Sequence, residues 1–316
     1  MNTDIFRHLD YIYAVYKEQS FSKAAKRLYI SQSSLSLTVL RDEGKMGSRI
    51  FDRSKVPIRL TEFGKLYIKA AEEIMSLTRN LENYAYEINH LKRGHLSIGS
   101  GNFLAIHLVA PAISEFKEKY PNVSVNLLEN RTLDLIPELN NGIIDMLVTN
   151  GVPHVPNLRR TPLFTEHLLL CVPKRFFDIP PFPHLLIDYQ MLKKKQYEFT
   201  EGVPLKEFER IPFIGLRPGN DTRLRMDRLF EEARIHPALL LELDQSSTVF
   251  SMSSAGIGAC IVSDAIVRLM GGKQRMLYYP LTGEVTQRDV ALYQKEQDYV
   301  SKIQHEFETI LKKYKI

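Results

Sequence analysis

Two cysteines, Cys171 and Cys260, are all that 316 residues contain. That is too few for a disulfide framework or a four-thiolate metal site, and it suits a reducing compartment. No window approaches the ~18 uninterrupted apolar residues of a membrane span. The first ten residues carry acids and an arginine before any apolar run, so neither secretion nor membrane insertion is expected. None of the nine histidines has a recognisable metal-ligand spacing, and Asp134, Asp145, Asp188, Asp221 and Asp264 are scattered without a paired-carboxylate signature. Gly99-Ser100-Gly101 lacks the spacing of a dinucleotide fingerprint, and Gly215-Leu216-Arg217-Pro218-Gly219 lacks the lysine and hydroxyl of a phosphate loop. Cys171 sits in the apolar run Leu168 to Val172, the setting of a structural cysteine. The expectation is no enzyme, no metal, no cofactor and a cytoplasmic address.

The length predicts two or three cooperative units. The apolar fraction of 44% and charged fraction of 25% are those of a folded globular protein. The formal charge of +5 is unevenly placed: residues 1–65 hold 12 basic and 7 acidic residues, whereas the remainder is balanced. A basic first module on a neutral body points to a polyanion partner.

Phe6, Leu9, Ile12, Tyr13 and Tyr16 have helical spacing, which Ser20 and Ser22 interrupt. Ser22 is the expected cap of a short second helix carrying Ala24, Ala25 and Leu28. Tyr29 and Ile30 make a bend, and Ser31 caps a third helix with Leu35, Val39 and Met46 on its core stripe. The start of that helix presents Gln32, Ser33, Ser34, Ser36 and Thr38, whose amide and hydroxyls suit base edges and phosphates. Arg49, Arg53, Lys55 and Arg59 surround a hairpin with Lys55-Val56-Pro57 at its tip, a wing able to reach phosphate or minor groove. Helix, helix, tight turn, helix and a basic wing read as a module for duplex DNA.

From Thr61 the seam Phe63, Tyr67, Ala70, Ile74, Leu77, Leu81, Tyr84, Ile88 and Leu91 advances by alternating steps of four and three. It predicts one helix about 45 Å long, ended by Lys92, Arg93 and Gly94, with an apolar face that pairs with a second copy. Two copies would place two reading helices on successive half-sites. Beyond Gly94, strands at Leu96–Gly99, Val123–Leu128 and Ile143–Val148 alternate with helices at Leu108–Tyr120 and Leu133–Asn140, a parallel α/β pattern that Pro137 is expected to break or displace. Leu168–Val172 opens another lobe, with strands at Leu185–Ile187, Phe213–Leu216 and Leu239–Leu243 and a helix at Thr222–Ala233. Polar residues gather where strands end and helices begin: Ser100, Gly101, Asn102, Thr149, Asn150, Asn220, Asp221, Thr222, Ser246, Ser247 and Thr248. Together they suggest a cleft for a small polar or anionic metabolite.

The chain resembles LysR-type transcriptional regulators. The likeness lies in Ser20 to Leu28, Ser31-Gln32-Ser33-Ser34-Leu35-Ser36, Glu43, Met46-Gly47, Ile50-Phe51, Arg53, Leu60-Thr61 and Gly64. It continues through Gly94 to Gly99, Pro111, Phe116, Tyr120-Pro121, Leu139 to Asp145 and Ser254 to Gly258. The resemblance implies a winged helix-turn-helix DNA-binding domain over 1–60 and a dimerisation linker helix over 61–92. It also implies a two-lobed α/β regulatory domain resembling a periplasmic solute-binding protein, lobe I being 93–167 plus 269–316 and lobe II 168–268. The implied activity is sequence-specific transcriptional regulation under a small-molecule effector. The implied partners are double-stranded operator DNA, a homodimer or homotetramer of the chain, and RNA polymerase. Ser31, Gln32, Ser33 and Ser36 would contact DNA, Arg53 would act in the wing, and Ser100, Thr149 and Thr222 would meet the effector.

Two positions depart from the family pattern. Asp42 replaces a usual leucine and points toward the core stripe, which requires a rotated or locally opened helix, or a basic or hydroxyl partner. Ser33 replaces a usual proline, which would loosen the helix start. The rival readings are a small-molecule-binding module, a metabolic enzyme, and a regulator whose cleft no longer senses.

Overall fold

Serine caps and small buried residues set up the first module. A computed structural model of the chain describes residues 3–88, 94–151, 155–197, 201–272, 275–296 and 300–314. It divides into two compact units, Met1–Glu82 with Asn141–Ile143, and Asn83–Asn140 with Ile144–Ile316. In the first unit α1 (Leu9–Glu18) buries Ile12, Ala14 and Val15. Helix α2 (Phe21–Arg27) is capped by Ser20, whose hydroxyl accepts the Lys23 N–H, rather than by the expected Ser22. The helix starts earlier because Phe21 is itself helical and buried in the core. Ser31 caps α3 (Gln32–Met46) as expected, accepting the Ser34 N–H at 3.1 Å, and Ser33 leaves that start intact.

The wing is the antiparallel pair β1 (Phe51–Asp52) and β2 (Arg59–Leu60), with Val56 fully exposed at its tip. Helix α4 (Glu62–Ile88) then closes the module, burying Tyr67, Ile68 and Ala71 against Ile12, Val15, Leu35 and Val39. Gly64 permits this approach: a Cβ there would lie 2.1 Å from the Ile50 carbonyl oxygen.

Asp42 is fully buried in an unbroken α3. Its Oδ2 lies 2.8 Å from His8 Nδ1, and its Oδ1 has Lys45 Nζ at 3.8 Å but no hydrogen-bond partner among the described residues. A basic partner, rather than an opened helix, therefore meets this carboxylate. The neighbouring Tyr67 phenol is pushed up to about 12, by burial first and by the Asp42 charge second.

The first strand of the second unit is β3 (Gly94–Ser100), followed by the short α5 (Asn102–Leu104) and a π-helical turn, Ala105–Val109, that runs into α6 (Ala110–Lys119). β4 (Val123–Glu129), α7 (Thr132–Asn140) and β5 (Met146–Asn150) follow. Helix α7 continues through Pro137, contrary to expectation. Leu135 and Leu139 anchor it in the core, and the carbonyl that loses its partner belongs to exposed Leu133.

The expected strand Leu168–Val172 is the second half of the 16-residue β6 (Leu158–Pro173). The expected strand at Leu185–Ile187 is replaced by a 3-10 turn, Pro183–Leu185, since Pro183 fixes φ and offers no ladder donor. Next come α8 (Tyr189–Lys194), β7 (Phe213–Leu216), α9 (Asp221–Ala233), β8 (Leu239–Leu243), α10 (Ser246–Ser254), β9 (Cys260–Ser263) and α11 (Asp264–Met270). β10 (Met276–Pro280), β11 (Gln287–Lys295) and α12 (Lys302–Leu311) complete the chain.

The large sheet has the order β10-β6-β11-β5-β3-β4, with β9 also on β6, and β7 pairs with β8 separately. It is mixed rather than wholly parallel. β3 runs parallel to β4 and β5, whereas β11 is antiparallel to β5 and β6, and β6 is antiparallel to β9 and β10. The first half of β6 pairs with β11 and the second half with β9 and β10, so one strand runs through both lobes. Cys171 and Cys260 face each other in the β6–β9 register and are buried. Burial, then the adjacent Cys260, pushes the Cys171 thiol well above its ordinary value, consistent with a structural role. Among the described residues no helix is long and apolar enough to cross a membrane.

His8→Ala takes from the buried Asp42 carboxylate its hydrogen-bond partner and leaves it Lys45 at 3.8 Å, so urea unfolding should show a loss of about 3 kcal/mol, whereas Asp42→Leu should be neutral or stabilising. In the second unit burial lowers the pKa of His107, whose ring lies 4.7 Å from Phe103, and chiefly burial also lowers that of His167. The unfolded chain then binds more protons than the folded one between the lowered values and about 6.5, so stability falls as pH drops through that window. Unfolding at pH 7.5 and 5.5 should show a smaller acid loss for His107→Phe than for the parent.

Candidate nucleic-acid interface and ligand cleft

At the start of α3, Ser31, Gln32, Ser33 and Ser34 are exposed while Leu35 behind them is buried, so the polar edge is presented outward by its own core stripe. The Ser31 and Ser33 hydroxyls lie 3.1 Å apart. Arg49 and Lys55 are exposed, and Thr38 is half-buried.

Ser36 and Arg53 are engaged within the module: Arg53 Nη1 donates to Ser36 Oγ at 3.2 Å, and Nη2 donates to Glu43 Oε2 at 3.1 Å. The guanidinium also stacks 4.7 Å over the Phe21 ring. Glu43 is buried, and its other oxygen accepts the N–H groups of Ile50 and Phe51 at 2.8 and 3.1 Å. The carboxylate thus ties α3 to the root of the wing.

Along α4 the predicted seam is used unevenly. Tyr67 is spent in the module core, with its hydroxyl donating to the Ile5 carbonyl at 3.0 Å. Phe63, Ala70 and Ile74 are half-buried. Leu77 and Leu81 are 68% and 69% exposed, Tyr84 is 50% exposed, and Leu66, which the seam omitted, is 68% exposed. The Ile88 side chain and residues 91–93 lie outside the described residues.

In the second unit a cleft of about 360 Å³ opens among the strand ends. It gathers Gly101, Asn102, Thr149, Asn150, Asn220, Thr222 and Ser246 of the predicted set. Ser100 and Ser247 do not line it. Ser100 is buried and donates to the Val148 carbonyl at 2.9 Å, and Ser247 is half-buried on α10. Thr132 and Thr149 hydroxyls lie 2.6 Å apart on one wall. Gln245 gives α10 no side-chain cap, so the helix start beside Ser246 keeps unbonded amides.

The cleft also holds two charged residues that the sequence did not reveal. Glu166 on β6 and Arg288 on β11 are register partners, both buried, with Arg288 Nε donating to Glu166 Oε2 at 3.0 Å. Asn150 Nδ2 and Ser263 Oγ complete the Glu166 shell at 3.0 and 3.2 Å. Arg288 Nη1 donates to Asp221 Oδ2 at 2.7 Å and Thr222 Oγ1 at 2.8 Å, linking the strands to the start of α9. Burial pulls the Arg288 pKa down, but the Glu166 and Asp221 carboxylates outweigh it and hold the guanidinium above its ordinary range. Gly151, at φ +66°, lets Asp221 sit here, since a Cβ would lie 2.1 Å from the Asp221 carboxyl carbon. Arg131, Glu129 and Asp244 stand at the cleft as further charges. Among the described residues no group of three His, Cys, Asp or Glu side chains could hold a metal ion.

Comparison with known proteins gives concordant matches. Residues 6–65 match the model of bacterial regulatory helix-turn-helix proteins of the lysR family, and residues 89–315 match that of the LysR substrate binding domain. The chain is 30% identical over 268 residues to the uncharacterized HTH-type transcriptional regulator YcgK of Bacillus subtilis (strain 168), covering 82% of this chain and 80% of that one. The fold is similar to that of full-length CbnR complexed with its target DNA, with a TM-score of 0.63, 18% identity and coverage of 98% and 99%. It is also similar to the effector binding domain of QuiR in complex with shikimate, with a TM-score of 0.53, 16% identity and coverage of 70% and 97%.

Arg288→Ala leaves Glu166 buried without its cation. The expected loss in urea unfolding is about 3–5 kcal/mol, and adding Glu166→Gln should recover part of it; a double-variant loss equal to the sum of the Arg288→Ala and Glu166→Gln losses would show that the pair is not coupled.

Proposed function

The chain belongs to the lysR family of bacterial regulatory helix-turn-helix proteins and is a DNA-binding transcriptional regulator; on that premise we propose that a small polar or anionic metabolite in the second unit's cleft controls it. The observation that carries this reading is the convergence of strand ends, hydroxyls and an uncapped helix start on one cleft, with a buried charge network at its wall. Ligand contacts fall to Asn102, Thr149, Asn150, Asn220, Thr222 and Ser246, with Glu166 and Arg288 fixing the wall. The shikimate complex of QuiR supports a small hydroxylated acid as the kind of molecule such a domain accepts.

On the DNA side, Ser31, Gln32, Ser33 and Ser34 read base edges while Arg49 and Lys55 engage phosphates. Arg53 acts by holding the wing to α3. The exposed stripe of Leu77, Leu81 and Tyr84 supports self-association through α4 into a dimer or tetramer. RNA polymerase is the proposed downstream partner. Control requires that the ligand bind one DNA-engaged arrangement more tightly than another.

Selecting bound duplexes from the source genome tests both parts. Gln32→Ala should weaken operator binding by about 1–3 kcal/mol and relax sequence preference, while Lys55→Ala should lower the salt slope by about one. The target genes then name a metabolite class. Operator affinity, footprint and transcription that stay the same across that class would overturn ligand control.

A further inference from the structure

Leu28 and Ile30 both pack against the core of the first module, and Tyr29 between them is turned out, 97% exposed. Its backbone closes α2: the Tyr29 N–H donates to the Lys26 carbonyl at 3.2 Å and the Ile30 N–H to the Ala25 carbonyl at 3.1 Å. That closure puts Tyr29 at φ +56°, a conformation that suits glycine, then asparagine, and that penalises other L-residues.

Three other helices end on residues in the same region, at Gln19, Lys195 and Arg234, but these extend flexible polar side chains into water. Phe182, an aromatic residue also at positive φ, is partly buried against a lobe core. Tyr29 combines the backbone penalty with an aromatic ring in solvent, and the module gains no packing from it. Such an outlier signals a contact made outside the chain.

Its place in the helix-turn-helix identifies the contact. In this motif the first helix crosses the DNA backbone and the second enters the major groove, so the turn between them passes the edge of the groove. Tyr29 lies two residues past the end of α2, whose Lys23 and Lys26 are exposed, and stands two residues before the Ser31 cap of α3. We propose that Tyr29 clamps the operator backbone, its hydroxyl donating to a phosphate oxygen and its ring covering the adjoining deoxyribose. The inference rests on the DNA-binding reading. It assigns affinity, rather than base discrimination, to an uncharged residue.

The test uses the full chain and an operator recovered by genomic selection, with two variants. Tyr29→Asn removes the ring and relieves the backbone. It should melt at or above the parent temperature yet bind more than about tenfold more weakly, as expected for loss of a hydrogen bond to a charged group together with the ring contact. Tyr29→Phe keeps the backbone penalty and loses only the hydroxyl, so it should fall between the two in affinity. Both variants should lose the same factor on operator and on random duplex, and both should keep the parent's salt slope, since no cation is removed. Tyr29→Asn binding within twofold of the parent would sink the proposal, as would weaker binding accompanied by a lower melting temperature. A loss confined to the operator would instead assign Tyr29 to a base. Parent binding that Gln32→Ala weakens leaves the DNA-binding reading standing whatever Tyr29 does.

Discussion

A carboxylate taken out of water must be met by donors, and Glu43 meets that requirement in a way that organises the first module. One oxygen accepts two backbone N–H groups at the root of the wing, and the other accepts Arg53. An ionised carboxylate with this many donors is far better placed than an unpaired one, so the wing root and α3 are held in one fixed relation. The exposed edge of α3 and the exposed cations of the wing can then meet a duplex as a single preformed surface. Without that tie, a two-residue strand pair would have little to set its angle.

The same requirement recurs in the second unit, where Glu166 is enclosed by Asn150, Ser263 and Arg288. Here the donors come from several elements, and Arg288 passes the connection to Asp221 and Thr222 at the start of α9. A network of this kind contributes little net stability relative to a well-packed apolar alternative. What it supplies is definition, because each member has few other places to bond. A wall fixed this way would give the proposed ligand a set geometry to recognise, with the loose polarity left to Thr149, Asn220 and Ser246.

Local chemistry was legible in the sequence and distant partnership was not. Ser31 could be read as a cap because capping is settled within three residues, and Gln32 followed from it. The error at the second helix was also local: Ser20 and Ser22 are both competent caps, and only the burial of Phe21 decides between them. The fate of Arg53 turned on Glu43, ten positions away, and on the Phe21 ring. Asp42 was visible as a problem, but its partner His8 lies 34 residues earlier. Glu166 and Arg288 stand 122 residues apart, joined only by strand register. The hint was an acid two residues before the apolar run that begins at Leu168, where a buried strand position needs a partner across the ladder.

The placement of Arg53 changes how the surface divides its labour. A guanidinium held by Ser36, Glu43 and Phe21 has little freedom to follow a phosphate, so the proposed DNA contact would draw its salt-dependent affinity from Arg49, Lys55 and the exposed lysines of α2. Those side chains are flexible and carry no sequence information. In that proposal discrimination would rest on a few short polar groups at Ser31 to Ser34, whose reach is small and whose position is therefore critical. Short readers need a rigid mount, whereas long cations tolerate error. On the proposed division of roles the buried Glu43 carboxylate would matter most for specificity without itself reading a base: it fixes the frame within which a hydroxyl or an amide could tell one base edge from another.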